Sequence, residues 1–127
     1  MSKFTQEDFK YMALAGGYEI LFSQDKVMLD GSKNVDRNSG LIINMPWNPD
    51  TDLADCFRLA IDAGIDIEYM AGRVFAMKDM WDGKPRIVVR ENIIKAHNND
   101  KHAATMKAVC DCAIEIGKTM GGKDEYR

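Results

Sequence analysis

A chain of 127 residues, 46% of them hydrophobic, carries enough apolar surface for one buried core and too much for a disordered segment. Its net charge of -3 excludes a global attraction to phosphate backbones or anionic membranes, so a nucleic-acid role would need a local basic patch. No apolar run approaches the length of a membrane span.

The three cysteines, Cys56, Cys110 and Cys112, are odd in number, and the N-terminus is charged where a secretory segment would be apolar. Both features predict free thiols in a reducing cytoplasm. The nine methionines are read as flexible core filler.

The first helix begins after Thr5, whose hydroxyl can accept from the amide of Asp8. Phe4 and Phe9 occupy the two positions of a hydrophobic staple, and Gly16-Gly17 supplies the stop. Tyr18–Phe22 and Val27–Leu29 read as short strands, 32–39 as a polar loop, and Gly40–Met45 as a buried strand. Two prolines in Pro46-Trp47-Asn48-Pro49 forbid helix and central strand. A second helix starts at Thr51 or Asp52, with Leu53, Cys56, Phe57, Ala60 and Ile61 on its expected buried face and Gly64 at its end. The period then changes to two. Residues 65–70, 73–78 and 86–91 read as strands of an antiparallel meander, turned at Ala71-Gly72 and Asp82-Gly83. The last helix runs from Asn99 or Asp100 to about Met120, with Met106, Val109, Cys110, Ala113, Ile116 and Gly117 inward and Gly121-Gly122 as its stop.

The expected fold is α+β, in the order α-β-α-β-β-β-α. An antiparallel sheet of at least three strands carries the helices, with a three-layer sandwich as one form of it. One domain is expected over 1–127, with a polar tail at 123–127. Leu53, Phe57, Ile61, Met106, Val109 and Ile116 are expected to be buried.

Chemistry-bearing patterns are sparse. Cys110 and Cys112 stand two apart on a helix and so point about 200° apart, which prevents them from sharing one ion. No metal site, cofactor site or catalytic residue is assigned. No nucleophile motif, dinucleotide loop or P-loop is present. The local basic cluster is Lys95, His97, Lys101, His102 and Lys107 at the start of the last helix, where free amides and the helix dipole favour an anion. Trp47 and Trp81 lie in turn-rich segments and join the cluster as candidate ligand-binding residues.

Two segments carry a family likeness. The polar turn Trp47-Asn48-Pro49-Asp50-Thr51-Asp52 leads into the aromatic-bearing helix Leu53-Ala54-Asp55-Cys56-Phe57, and Ala104-Thr105-Met106-Lys107-Ala108-Val109-Cys110-Asp111-Cys112-Ala113 forms a small-residue terminal helix. Together, over about 46–120, they resemble the phage ABA sandwich family of small phage and prophage proteins. That resemblance implies a sheet between helical layers and a phage accessory role in the host cytoplasm, and it transfers no catalytic residues. The element order from residue 51 onward also resembles that of double-stranded RNA-binding domains, with Asp100-Lys101-His102-Ala103-Ala104 at the Lys-bearing helix start. The chain departs from that pattern at Ala71-Gly72, which lacks a groove-reading histidine, and in its acidic second helix.

The leading expectation is a non-enzymatic binding protein, encoded by a phage or prophage, that contacts a host protein or a small anionic, nucleotide-like ligand. Counter-defence is one such role. Nucleic-acid binding through the basic turn and an enzyme with a site built from scattered residues are the alternatives. No membrane partner is expected.

Overall fold

The computed structural model describes residues 4–31, 44–81 and 85–124; at 81, 85–87 and 121–124 the main chain alone is described. Helix α1 spans Gln6–Gly16. Its start is a capping box. The Asp8 amide donates to Thr5 Oγ1 at 3.1 Å, and the Thr5 amide donates back to the Asp8 carboxylate at 3.0 Å. The rings of Phe4 and Phe9 meet edge to face with centroids 6.2 Å apart, closing the staple as expected. Gly17 takes left-handed angles and ends the helix.

The two expected short strands are β1 (Ile20–Ser23) and β2 (Lys26–Leu29), which pair as a hairpin, and β3 (Met45–Pro46) pairs with β2 through Met28 and Leu29. Pro46 stands on an edge strand, where its missing N–H leaves no ladder bond unmade. The strand expected over Gly40–Met45 is thereby corrected at its described end, where pairing begins only at Met45. Residues 40–43, the loop 32–39 and the turn at Asp82-Gly83 lie outside the described residues.

Helix α2 (Leu53–Ala63) is capped by Asp52, whose carboxylate accepts from the amides of Ala54 and Asp55, and it ends at Gly64. Its buried face differs from the expected one. Cys56, Leu59, Ala60 and Ala63 face the core, Leu53 is half-buried, Phe57 is exposed and Ile61 is 77% exposed. The helix has two apolar stripes, and packing selects the one richer in small side chains, which lets α2 approach its neighbouring helices closely.

Strands β4 (Asp66–Met70), β5 (Arg73–Trp81) and β6 (Pro85–Ile93) form the expected antiparallel meander in that spatial order. Cross-strand rows give its two faces. Ile67–Ala76–Arg90 and Tyr69–Val74–Asn92 lie on one face; Asp66–Met77–Val89, Glu68–Phe75–Glu91 and Met70–Arg73–Ile93 lie on the other. A single 3₁₀ turn, Ile94–His97, leads to helix α3 (Lys101–Asp124).

Helix α3 is the middle layer. It packs on β5 and β6 on one side and on α1 and α2 on the other. It is therefore buried nearly all round. Ala104, Thr105, Ala108, Val109, Cys110, Cys112, Ala113 and Ile116 are shielded from solvent, while Met106 is half-buried. Of the six residues expected inside, Val109 and Ile116 are fully buried. The helix also continues through Gly121-Gly122, correcting the expected stop there. Glycine accepts right-handed angles as readily as left-handed ones, so a glycine pair permits a stop without imposing one. At Gly117 the two helices touch. A methyl group there would lie 2.0 Å from the backbone oxygen of Tyr11 in α1.

Candidate functional site

The basic turn does not come together as one site. Lys101 extends over the Tyr69 ring, with Nζ 4.2 Å from its centroid. Lys107 stands about 9 Å further along the axis on another face of α3. There it pairs with Asp111 at 2.6 Å and lies 5.4 Å from the Phe4 ring centroid. His97 is half-buried with its Nε2 3.1 Å from Asn92 Oδ1, while Lys95 and His102 are exposed. The helix start already holds a carboxylate. Asp100 Oδ1 accepts from the Ala103 amide at 3.0 Å, and the Asp100 backbone carbonyl accepts from the Ala104 amide at 3.1 Å. An incoming anion would meet that negative charge at the positive end of the dipole.

Trp47 is a core residue. It is 2% exposed, packed edge to face on Tyr18 and Phe9 at centroid distances of 5.4 and 6.4 Å. Tyr18, itself buried, donates its hydroxyl proton to the Asp62 carboxylate and so ties this aromatic knot to α2. The indole of Trp47 is thus unavailable as a stacking platform. The side chain of Trp81 lies outside the described set.

All three thiols are free and buried. Burial pushes Cys56 up to about 12, with the neighbouring Asp55 charge adding to the effect, and burial pushes Cys112 up to about 11. Cys110 is raised well above its ordinary value, again chiefly by burial. Such thiols stay protonated and are poor nucleophiles and poor metal ligands. Among the described residues, no group of three His, Cys, Asp or Glu side chains stands close enough to hold an ion.

The raised values carry a sign. Below 9.0, the ordinary thiol value, folded and unfolded chains both hold these protons and the thiols contribute no pH dependence. Between 9.0 and about 12 the unfolded chain releases protons that the folded chain keeps, so stability falls as pH rises. Urea midpoints measured below and above pH 9.0 should show this loss, and replacing Cys56 and Cys112 with alanine should reduce it. Thiols that react with iodoacetamide as fast in the native protein as in urea would contradict the assignment.

Two shallow hollows are lined by described residues. One, of about 270 Å³, lies between the β1–β2 turn and Asn48–Thr51, with Asp25, Lys26 and Asp50 on its walls. The other, of about 340 Å³, lies beside α1 at Lys10, Tyr18 and Glu19. Neither is lined by a histidine or a cysteine.

The most distinctive surface is the outer face of the β4–β5–β6 sheet. The inner face is covered by α3, and no described helix or strand packs on the outer one. Met70, Val89 and Ile93 are 63%, 41% and 47% exposed there, and Phe75 and Met77 stand half-buried between them. Asp66, Glu68, Asp79 and Glu91 are interspersed with these apolar residues. Its one described cation, Arg73, is engaged by Glu91 at 3.0 Å. Phe75 and Met77 thus hold the middle strand, Glu68 and Glu91 end the Phe75 row, and the Arg73–Glu91 pair stands among Met70, Val89 and Ile93. A signal for it exists in the sequence, because Val74-Phe75-Ala76-Met77 is apolar at every position and such a strand calls for cover on both faces.

No family model, curated protein or solved structure matches this chain.

Proposed function

We propose that this chain is a small non-enzymatic binding protein that docks a basic, amphipathic segment of a partner protein on the outer face of its β4–β5–β6 sheet. The observation that carries this reading is the surface formed by Met70, Phe75, Met77, Val89 and Ile93, interspersed with Asp66, Glu68, Asp79 and Glu91, on which no described helix or strand packs. An apolar surface of this kind on a folded chain favours a partner. The interspersed acidic residues favour cationic residues around that partner's apolar stripe. A second copy laid face to face would set acid against acid, which disfavours that occupant. The likeness of 46–120 to phage ABA sandwich proteins supports a phage or prophage origin and a host protein as the partner, with counter-defence as one outcome of the binding. The nucleic-acid alternative gains no support at the α3 start, where the Asp100 carboxylate caps the first turn and the lysines diverge.

The test separates the two surfaces. Met70→Asp combined with Ile93→Asp should weaken partner binding by at least about tenfold, since burying even one unpaired charge costs more than the 1.4 kcal/mol that a tenfold change represents. Lys101→Glu combined with Lys107→Glu should leave binding within a few fold. The opposite pattern, with salt-sensitive loss in the lysine variant, would transfer the function to the basic turn.

A further inference from the structure

We propose that β6 pairs antiparallel with β6 of a second copy, joining two three-stranded sheets into one continuous sheet. The two edges of the meander are unlike. Strand β4 is five residues long and carries Asp66 and Glu68, charges that discourage pairing with another strand. Strand β6 is nine residues long, its one proline is its first residue, and it contains no lysine. Among the described residues, only β5 pairs with it. It thus offers the longer free row of backbone donors and acceptors among the described residues, and its charges, Arg86, Arg90 and Glu91, are of both signs, so a second copy can be registered on it without like charges opposed.

Side-chain alternation selects the register. Val88, Arg90 and Asn92 share the α3 side, while Val89, Glu91 and Ile93 share the outer side. A two-fold axis perpendicular to the sheet keeps both α3 helices on one side, so even-numbered positions must pair with even-numbered ones. Centring the axis on Val89 sets Val89 against its own copy and Val88 against Arg90 twice. Moving the centre to Arg90 sets two guanidinium groups directly opposite each other. Moving it to Val88 sets Arg90 opposite position 86, also an arginine. Like charges directly opposite destabilise a ladder, so of these three registers, the ones that pair most of the strand, the Val89-centred one survives.

The second layer fits the same arrangement. Helix α3 packs on both β5 and β6. With strands about 4.8 Å apart, the two α3 helices would lie about 10 Å apart across the axis, an ordinary interhelical distance. The pair Arg90–Glu115, 3.3 Å apart and with side chains 39% and 41% exposed, stands at that seam. Pairing of β6 leaves the outer face open and does not depend on the docking reading above.

Because the three native thiols are buried, one new surface cysteine reports the register in the purified protein without any partner. Val89→Cys should form an intermolecular disulfide on mild oxidation, since directly opposed strand residues lie within disulfide reach. Glu91→Cys, about four residues from its own copy across the ladder, should crosslink at least several-fold less. Sedimentation of the unmodified chain should give twice the monomer mass. A monomer at every concentration, or equal crosslinking at 89 and 91, would overturn the proposal, and neither result bears on partner docking.

Discussion

Replacing Gly117 with alanine should destabilise the protein by about 3 kcal/mol, a drop of roughly 10 °C or more in Tm. On an exposed helix the same change would stabilise by up to about 1 kcal/mol, because alanine is the better helix former. Here the added methyl would lie 2.0 Å from the carbonyl oxygen and 2.6 Å from the carbonyl carbon of Tyr11. Those atoms are main chain in the middle of α1, so no rotamer change relieves the overlap. Relief requires α1 and α3 to separate, which loosens the helix pair that contributes Met12, Ala13, Val109 and Ile116 to the core. Thermal or urea unfolding of the single variant decides the matter. A Tm equal to or above that of the parent chain would mean that the two helices do not meet at Gly117.

Trp47→Ala should cost about 3–5 kcal/mol, the range for truncating a fully buried large aromatic residue. The indole fills the space between α1 and the 47–52 turn, against Phe9 and Tyr18. Its amide donates to the Val27 carbonyl at 2.9 Å, which joins the turn to the β1–β2 hairpin. Truncation therefore opens a cavity where hairpin, turn and helix converge. Trp47→Phe should recover part of the loss by refilling some of that volume. Stability unchanged in Trp47→Ala would return the residue to the surface role that its turn-rich setting also permits.

What was legible in the sequence followed from local chemistry. The Thr5 and Asp52 caps, the Phe4–Phe9 staple, the Gly17 and Gly64 ends and the strand alternation from Ile65 onward each depend on residues close in the chain, and each appears in the structure. What was not legible depends on which layer an element meets. The apolar stripe Leu53-Phe57-Ile61 is as regular as the stripe through Cys56, Leu59, Ala60 and Ala63, and only the small-residue surfaces of α1 and α3 choose between them. The turn-rich setting of Trp47 leaves a core cap and a ligand-binding aromatic equally legible, and the turn folded back over the hairpin decides for the core by burying its side chain. The lysines of the basic turn are near in sequence, but the helical repeat sends Lys101 toward β4 and Lys107 toward α1. The run Val74–Met77 signals a second apolar sheet face, but the extent of that face depends on residues of three strands that become one surface only through their register.

The docking of a partner on that outer face is tested most directly by a photo-crosslinking residue placed at position 70, 93 or 102 of the full chain in host cells. Crosslinks from positions 70 and 93 should fall on one and the same partner protein, within a segment that carries an apolar stripe flanked by lysine or arginine, and position 102 should give none. Crosslinks from 102 to nucleic acid, or from 70 and 93 to unrelated proteins with no such segment, would contradict the account.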